Sequence, residues 1–170
     1  MSLEILGAFA DSDLTMAGTL LDCRIGDECD LSAEFALMRL RQLQAEADAE
    51  QWLLRAIVRK ADRLMIGHIG FHTTPSPDYL VGYAPGGVEI GYCVYEPFRR
   101  NGFAYEAASA LMAWANSQHG VTDIVASIAP DNAASLALLQ KLGSQWAVRH
   151  VGVYDDPVDG HEDVYLMRNR

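Results

Sequence analysis

The stretch from Val88 to Glu106 constrains the chain more than any other part. Val88-Glu89-Ile90-Gly91-Tyr92-Cys93-Val94-Tyr95 is apolar and rich in strand formers, so it predicts a buried strand. Pro97 cannot donate to a sheet ladder and ends it. Arg99-Arg100-Asn101-Gly102 follows as a short turn, and the small residues after Phe103 predict a helix packed on a sheet. A strand that feeds a helix in this way leaves unpaired backbone N–H groups at the helix start, where the helix dipole adds partial positive charge. Paired arginines there stand out in a chain of formal net charge -10. Such a turn suits a polyanionic ligand. On residue types alone, a solvated turn with two surface arginines is the alternative.

The elements around this unit predict a mixed sheet. Asp11-Ser12-Asp13 starts a helix carrying Leu14, Ala17, Gly18 and Leu21, and Leu31 to about Glu50 is a second, amphipathic helix. There Phe35, Leu37, Met38, Leu40, Leu43 and Ala47 are expected inside, with Arg39, Arg41 and Glu46 facing solvent. Trp52–Arg59 and Leu64–Phe71 read as a hairpin about Ala61-Asp62, and the proline- and glycine-rich run 73–87 as a loop. Phe103 to Ser117 carries Phe103, Ala107, Ala110, Leu111 and Trp114 on one stripe. Val121–Ile128 is a strand, Asn132 caps a helix over Ala133–Leu142 that Gly143 stops, and Trp146–Tyr154 and Val164–Met167 are strands about the turn at 155–160. Hairpins followed by a strand–helix–strand half predict an α+β fold, a mixed, mostly antiparallel central sheet flanked by helices. No linker divides the 170 residues, so one domain spanning 1–170 is expected. The opening residues show no first strand before the first helix, which points to a shortened or unusual N-terminus.

Composition narrows the function. The sequence pI of about 4.8 argues against general affinity for nucleic acid or anionic membrane. There is no apolar run long enough to span a bilayer and no signal-peptide pattern, so a cytoplasmic address is expected. Cys23, Cys29 and Cys93 have no metal-ligand spacing, no metal is expected, and Cys93 reads most simply as a small apolar side chain in its strand.

The turn matches neither a P-loop nor a dinucleotide fingerprint, both of which need other glycine spacings. Arg99-x-x-Gly102-x-Ala104 between a strand and a helix instead resembles the acyl-CoA signature (Gln/Arg-x-x-Gly-x-Gly/Ala) of the GNAT superfamily of N-acetyltransferases. Glu89-Ile90-Gly91-Tyr92 and Tyr105-Glu106-Ala107 look like its ribosomal-protein N-terminal acetyltransferase branch. Asn132 to Gly143 resembles the second CoA-side helix, and looser similarity runs from about Trp52 to Met167. The resemblance implies a GNAT-like acyl-CoA N-acyltransferase fold using acetyl-CoA. Backbone groups of Cys93, Val94 and Tyr95 would meet the pantetheine arm where two strands splay. Arg99, Arg100, Asn101, Gly102, Phe103 and Ala104 would cradle the pyrophosphate. Asn132 would bond the arm, with Ser135 near it, whereas the bland reading of Asn132 is a helix cap.

Acetyl transfer needs a neutral amine, hence a base, and a donor for the carbonyl oxygen that gains charge. The Val94 N–H is the candidate donor. Glu89 is the candidate base, on one strand face with Gly91, Cys93 and Tyr95, and a structural strand-edge glutamate is the competing reading. The tyrosine that many relatives use to protonate the departing thiolate is replaced by Leu139, which leaves Tyr154 as a substitute, or the amine or water as the proton source. His68 and His72 share an alternation face and are candidates to line an acceptor cleft, although isolated histidines are usually structural. Asp155, Asp156, Asp159, Glu162 and Asp163 form either a solvated turn or an attractor for a cationic amine. The expected activity is acetyl transfer to a primary amine, on a small molecule or a protein N-terminus, by direct attack in a ternary complex. A CoA-binding regulatory or interaction module without transferase activity is the rival, and a purely structural domain a third reading. Exposed sheet edges are compatible with a homodimer, though no residue pattern encodes one.

Overall fold

The computed structural model describes residues 1–156 and 160–169, except the side chain of Asp156. The turn expected at 155–160, and Asp159 of the acidic cluster, fall partly or wholly outside that set. The helices are α1 (Leu3–Ala10), α2 (Leu14–Leu21), α3 (Ala33–Ala45), α4 (Phe103–His119) and α5 (Ala133–Leu142). The strands are β1 (Arg55–Arg59), β2 (Leu64–Phe71), β3 (Val88–Val94), β4 (Asp123–Ile128), β5 (Trp146–Asp156) and β6 (Gly160–Asn169). They hydrogen-bond in the order β1-β2-β3-β4-β6-β5. The β1–β2, β4–β6 and β5–β6 pairs are antiparallel and β3–β4 is parallel, which is the expected mixed α+β architecture. The chain forms two compact units, Met1–Phe71 with Tyr92–Ala104, and His72–Gly91 with Tyr105–Arg170.

In the first unit, helix starts are written in the sequence as polar caps. Ser2 accepts from Ile5 N–H, Asp13 from Met16 N–H at 2.9 Å, and Ser32 from Phe35 N–H at 3.1 Å. Helix α1 has no counterpart in the sequence-based expectation, in which the first helix starts at Asp11-Ser12-Asp13. Leu6, Phe9, Leu43, Leu53, Met65 and Ile66 are among the side chains of its core, and every residue of β2 is buried. Gly67 is required there: a Cβ at that position would lie 2.3 Å from the Cys93 carbonyl oxygen. The strand expected from Trp52 begins only at Arg55, since Trp52 and Leu53 donate back to the Ala49 carbonyl and close a 3-10 turn.

Helix α3 corrects the expected faces. Ala36, Arg39 and Leu43 are buried, whereas Leu37 and Met38 are exposed. Positions 36, 39, 40 and 43 follow i, i+3, i+4, i+7, and 37 and 38 fall on the other side. Arg39 enters this stripe by stacking its guanidinium 5.1 Å from the Phe35 ring centre and donating to Gln42 at 2.9 Å.

In the second unit α4 shows the expected period in a different phase, with Ala108, Leu111, Met112 and Ala115 buried and Ala110 exposed. The 73–87 run is a loop with one 3-10 turn, Asp78–Leu80, that places Leu80 and Ala84 in a core with Val125, Val164 and Leu166. Arg168 grips Asp123 through two bonds of 2.7 and 2.8 Å, and this pairing holds the Asp123 carboxyl below its usual range. Among the described residues, no helix is long and apolar enough to cross a membrane.

Candidate active site

The turn between β3 and α4 is built by backbone geometry. A 3-10 turn, Glu96–Phe98, follows Tyr95, with Phe98 N–H donating to Tyr95 O at 2.9 Å. Arg100 (φ 63°) and Gly102 (φ 85°) then adopt left-handed conformations on either side of Asn101. Glycine holds such a φ without strain. Asn101 Nδ2 donates to Phe98 O and Arg99 O, tying up the carbonyls of the turn. The first N–H groups of α4 have no intrahelical acceptor.

Arg99 acts here as a brace. Its Nε donates to Val94 O at 2.8 Å, and its side chain also bonds the Cys93 thiol. Burial pushes the Cys93 thiol up, and the nearby Arg99 only partly opposes this, so the sulfur is not a poised nucleophile. Tyr95 is fully buried, with its hydroxyl 3.3 Å from Cys29 Sγ and its phenol pushed up by burial. Its N–H donates to Ile66 O at 2.9 Å and its C=O accepts from Phe98, so both backbone groups are engaged inside the unit. His68 stands between Phe35 and Tyr95, with ring-centre distances of 5.7 and 6.1 Å. Burial depresses its pKa to about 4, which keeps the imidazole neutral, and its buried Nδ1 has no partner among the described residues.

In the second unit Glu89 is not a surface glutamate. The residue is only 6% exposed and belongs to a hydrogen-bonded cluster. Ser127 Oγ donates to its Oε1 at 2.6 Å, His72 Nδ1 lies 3.4 Å from Oε2, and the Tyr79 side chain also bonds the carboxylate. Burial alone would raise the Glu89 pKa. The bonds from His72, Ser127 and Tyr79 outweigh it and hold the carboxyl below its ordinary value, so it is ionised at neutral pH. The parallel β3–β4 register pairs Glu89 with Val125, and a backbone bond from His72 N–H to Glu89 O (2.8 Å) ties the end of β2 to it. Sequence reasoning named Glu89 and His72 separately and missed Ser127 and Tyr79. The signal that could have found Ser127 is its place two residues beyond the strand partner of Glu89.

Asn132 caps α5, its Oδ1 accepting from Ser135 N–H at 3.0 Å, and Leu139 is buried in that helix. Tyr154 is 45% exposed and sits opposite Glu162 in the β5–β6 ladder. Of the acidic cluster, Asp155 and Asp163 bond His161 and His150, each at 2.9 Å, in a partly solvated hairpin. Among the described residues, no group of three His, Cys, Asp or Glu side chains could hold a metal ion.

Residues 9–145 match the acetyltransferase (GNAT) domain family. This chain belongs to that family. The Bacillus subtilis (strain 168) protein described as uncharacterized N-acetyltransferase YjdG is 34% identical over 94 residues, which is 55% of this chain and 50% of that protein. The chain spans half to three fifths of the length of the curated relatives it matches. Its fold is that of solved GNAT structures. The ribosomal-protein-S5-alanine acetyltransferase of Vibrio fischeri superposes with a TM-score of 0.65 at 15% identity, covering 99% of this chain and 90% of that one. RimJ of Mycobacterium smegmatis, solved with CoA-disulfide, superposes with a TM-score of 0.61 at 17% identity, covering 99% and 79%.

Proposed function

We propose that this GNAT chain transfers the acetyl group of acetyl-CoA to a primary amine by direct attack in a ternary complex, with no covalent enzyme intermediate. The observation that carries the reading is the turn at Arg99–Ala104, where Arg100 and Gly102 are left-handed just ahead of α4, whose first N–H groups have no intrahelical acceptor. A diphosphate is the ligand such donors suit, and the exposed Arg100 side chain adds charge. Both backbone groups of Tyr95 are engaged, by Ile66 O and Phe98 N–H, which favours Cys93 and Val94 over Tyr95 as contacts for a pantetheine arm. The family resemblance adds Asn132 as a proposed contact of the pantetheine arm, with Ser135 beside it in sequence.

The chemistry asks for three things of this chain. The ammonium must lose a proton, and Glu89, ionised and buried, supplies the negative charge that draws it away. The carbonyl oxygen must be stabilised, for which Val94 N–H is the proposed donor. The thiolate must be neutralised. With Leu139 where the family resemblance implies a tyrosine and Tyr154 45% exposed, the second proton of the attacking amine is the better source. The acceptor is proposed as a class only, a small-molecule amine or a protein N-terminus.

CoA-dependent protection tests the donor half. Ligand at 100 times its Kd stabilises the folded state by about 2.7 kcal/mol. For a chain of this size that is a rise in Tm of roughly 5–10 °C. No shift with millimolar CoA or acetyl-CoA would refute the reading. The burial of Leu139 at the usual tyrosine position favours a second reading, a CoA-binding module without turnover. It predicts the thermal shift without thiol release from acetyl-CoA in the presence of amines.

A further inference from the structure

We propose that His72, not Glu89, is the group that takes the proton from the amine, with Glu89 as the residue that positions and charges it. The inference rests on the transferase reading. Glu89 is shielded: its side chain is 8% exposed, against 42% for His72, and three donors already occupy its oxygens. A carboxylate accepts at about four lone-pair sites, so little capacity remains for an ammonium. The hydrogen bonds also make it a weaker base than an ordinary glutamate. His72 has the complementary properties. Its Nδ1 faces Glu89 Oε2, so with the proton on Nδ1 the lone pair lies on Nε2.

Gly91 makes room for that ring. A Cβ at Gly91 would lie 2.6 Å from His72 Nε2 and 3.2 Å from its Cδ2. The imidazole therefore rests over the β3 backbone where any other residue would displace it. That is two residues before Cys93, where the proposed pantetheine contacts begin. Among the described residues, the titratable groups bonded together in this cluster are His72 at the end of β2, Glu89 of β3 and Tyr79 of the loop, with Ser127 of β4 as an uncharged donor.

The proton balance is simple. The ammonium R–NH3+ gives one proton to Nε2, and the freed lone pair forms the N–C bond to the thioester carbonyl. The C–S bond breaks with its electron pair on sulfur, and the second nitrogen proton neutralises the thiolate. The products are the amide, free CoA thiol and an imidazolium paired with Glu89, which returns its proton to solvent.

The test compares wild type with His72→Ala, His72→Gln, Glu89→Gln and Gly91→Ala. Thiol release is followed from acetyl-CoA with spermidine, kanamycin, and peptides beginning in alanine or serine, and CoA-induced thermal protection is measured on each variant. Loss of general base catalysis is expected to lower kcat about 10²–10³-fold in both His72 variants. The KM for acetyl-CoA and the CoA thermal shift should stay close to wild type. Added imidazole should restore activity to His72→Ala at least tenfold. Glu89→Gln should lose less, and added imidazole should not restore its activity. Gly91→Ala should behave like a mild His72 variant. A His72→Ala rate within threefold of wild type, with Glu89→Gln losing more, overturns the proposal and leaves the transferase reading standing. Wild type that is protected by CoA yet turns over no amine overturns the transferase reading and this inference with it.

Discussion

Removing the Ser127 hydroxyl asks whether Glu89 is ionised and networked in the folded protein. The Ser127–Glu89 bond is 2.6 Å long, in the range of O–H donors to carboxylates, and its acceptor is buried. Hydrogen bonds to charged groups contribute about 1.5–3 kcal/mol, against about 0.5–1.5 for neutral pairs. Ser127→Ala leaves His72 and Tyr79 on the carboxylate, so Glu89 is not orphaned and the loss stays near the charged-pair range. The expected destabilisation at pH 7 is therefore about 1.5–3 kcal/mol.

Its pH dependence carries the sharper test. The folded-state pKa of Glu89 is lowered, so this group contributes stability that is present above its unfolded pKa and is lost as pH falls through the folded one. Ser127→Ala removes one cause of that lowering, and the carboxyl of the variant titrates higher than in wild type. The two proteins should thus converge at acid pH, where the bond at stake is neutral and worth about 0.5–1.5 kcal/mol. Urea unfolding of both proteins, at pH 7 and at the lowest pH where wild type stays folded, gives the two differences. A difference below about 0.5 kcal/mol at pH 7, far under the charged-bond range, would refute the network. Equal differences at both pH values would refute the ionised carboxylate.

Asn132→Ala should cost about 1 kcal/mol by loss of the 3.0 Å cap, read from the urea midpoint, and should also raise the KM for acetyl-CoA if Asn132 holds the pantetheine arm. Unchanged KM would reduce Asn132 to a cap. Gly67→Ala should destabilise by about 1–3 kcal/mol or more, because its Cβ would sit 2.3 Å from the Cys93 oxygen and 3.0 Å from Val94 Cα, both backbone atoms. Gly7→Ala, in α1 with nothing within 4 Å, should instead stabilise by about 0.5–1 kcal/mol, and thermal melts of the pair should move in opposite directions.

What was legible in the sequence is local. Pro97 sits in the 3-10 turn after β3, Gly102 relieves a left-handed turn, and Asn132 and Gly143 bracket α5; each acts on its own backbone within a few residues. The donor site resembles a family motif for the same reason, since a turn and a helix start are written contiguously. The partners of Glu89 are not. His72 lies 17 positions before it and Ser127 38 after; the parallel register that pairs Glu89 with Val125 brings in Ser127, and the bond from His72 N–H to Glu89 O brings in His72. Phase errors had a different origin. Helices α3 and α4 have enough apolar residues on several sides that period alone does not choose the buried stripe, so Leu37 and Met38 turned outward while Arg39 turned in. In α1 the Ser2 cap and the Leu6–Phe9 spacing were the available signals, carried by a helix of only eight residues.

The same contrast explains why Glu89 is convincing as a charge and unconvincing as a direct base. A general base works best when its proton affinity is matched to the operating pH, which for a carboxylate means burial with few donors. Glu89 has the burial but also donors from three different chain segments, and the donors win. A fold that wanted a strong carboxylate base gains nothing from the Ser127 hydroxyl at 2.6 Å. A fold that wants a fixed negative charge to orient an imidazole gains from every one of those bonds, because each narrows the positions the carboxylate can take. Gly91 points the same way: an empty Cβ position next to Glu89 on β3 matters only if something must lie there, and what lies there is the ring of His72.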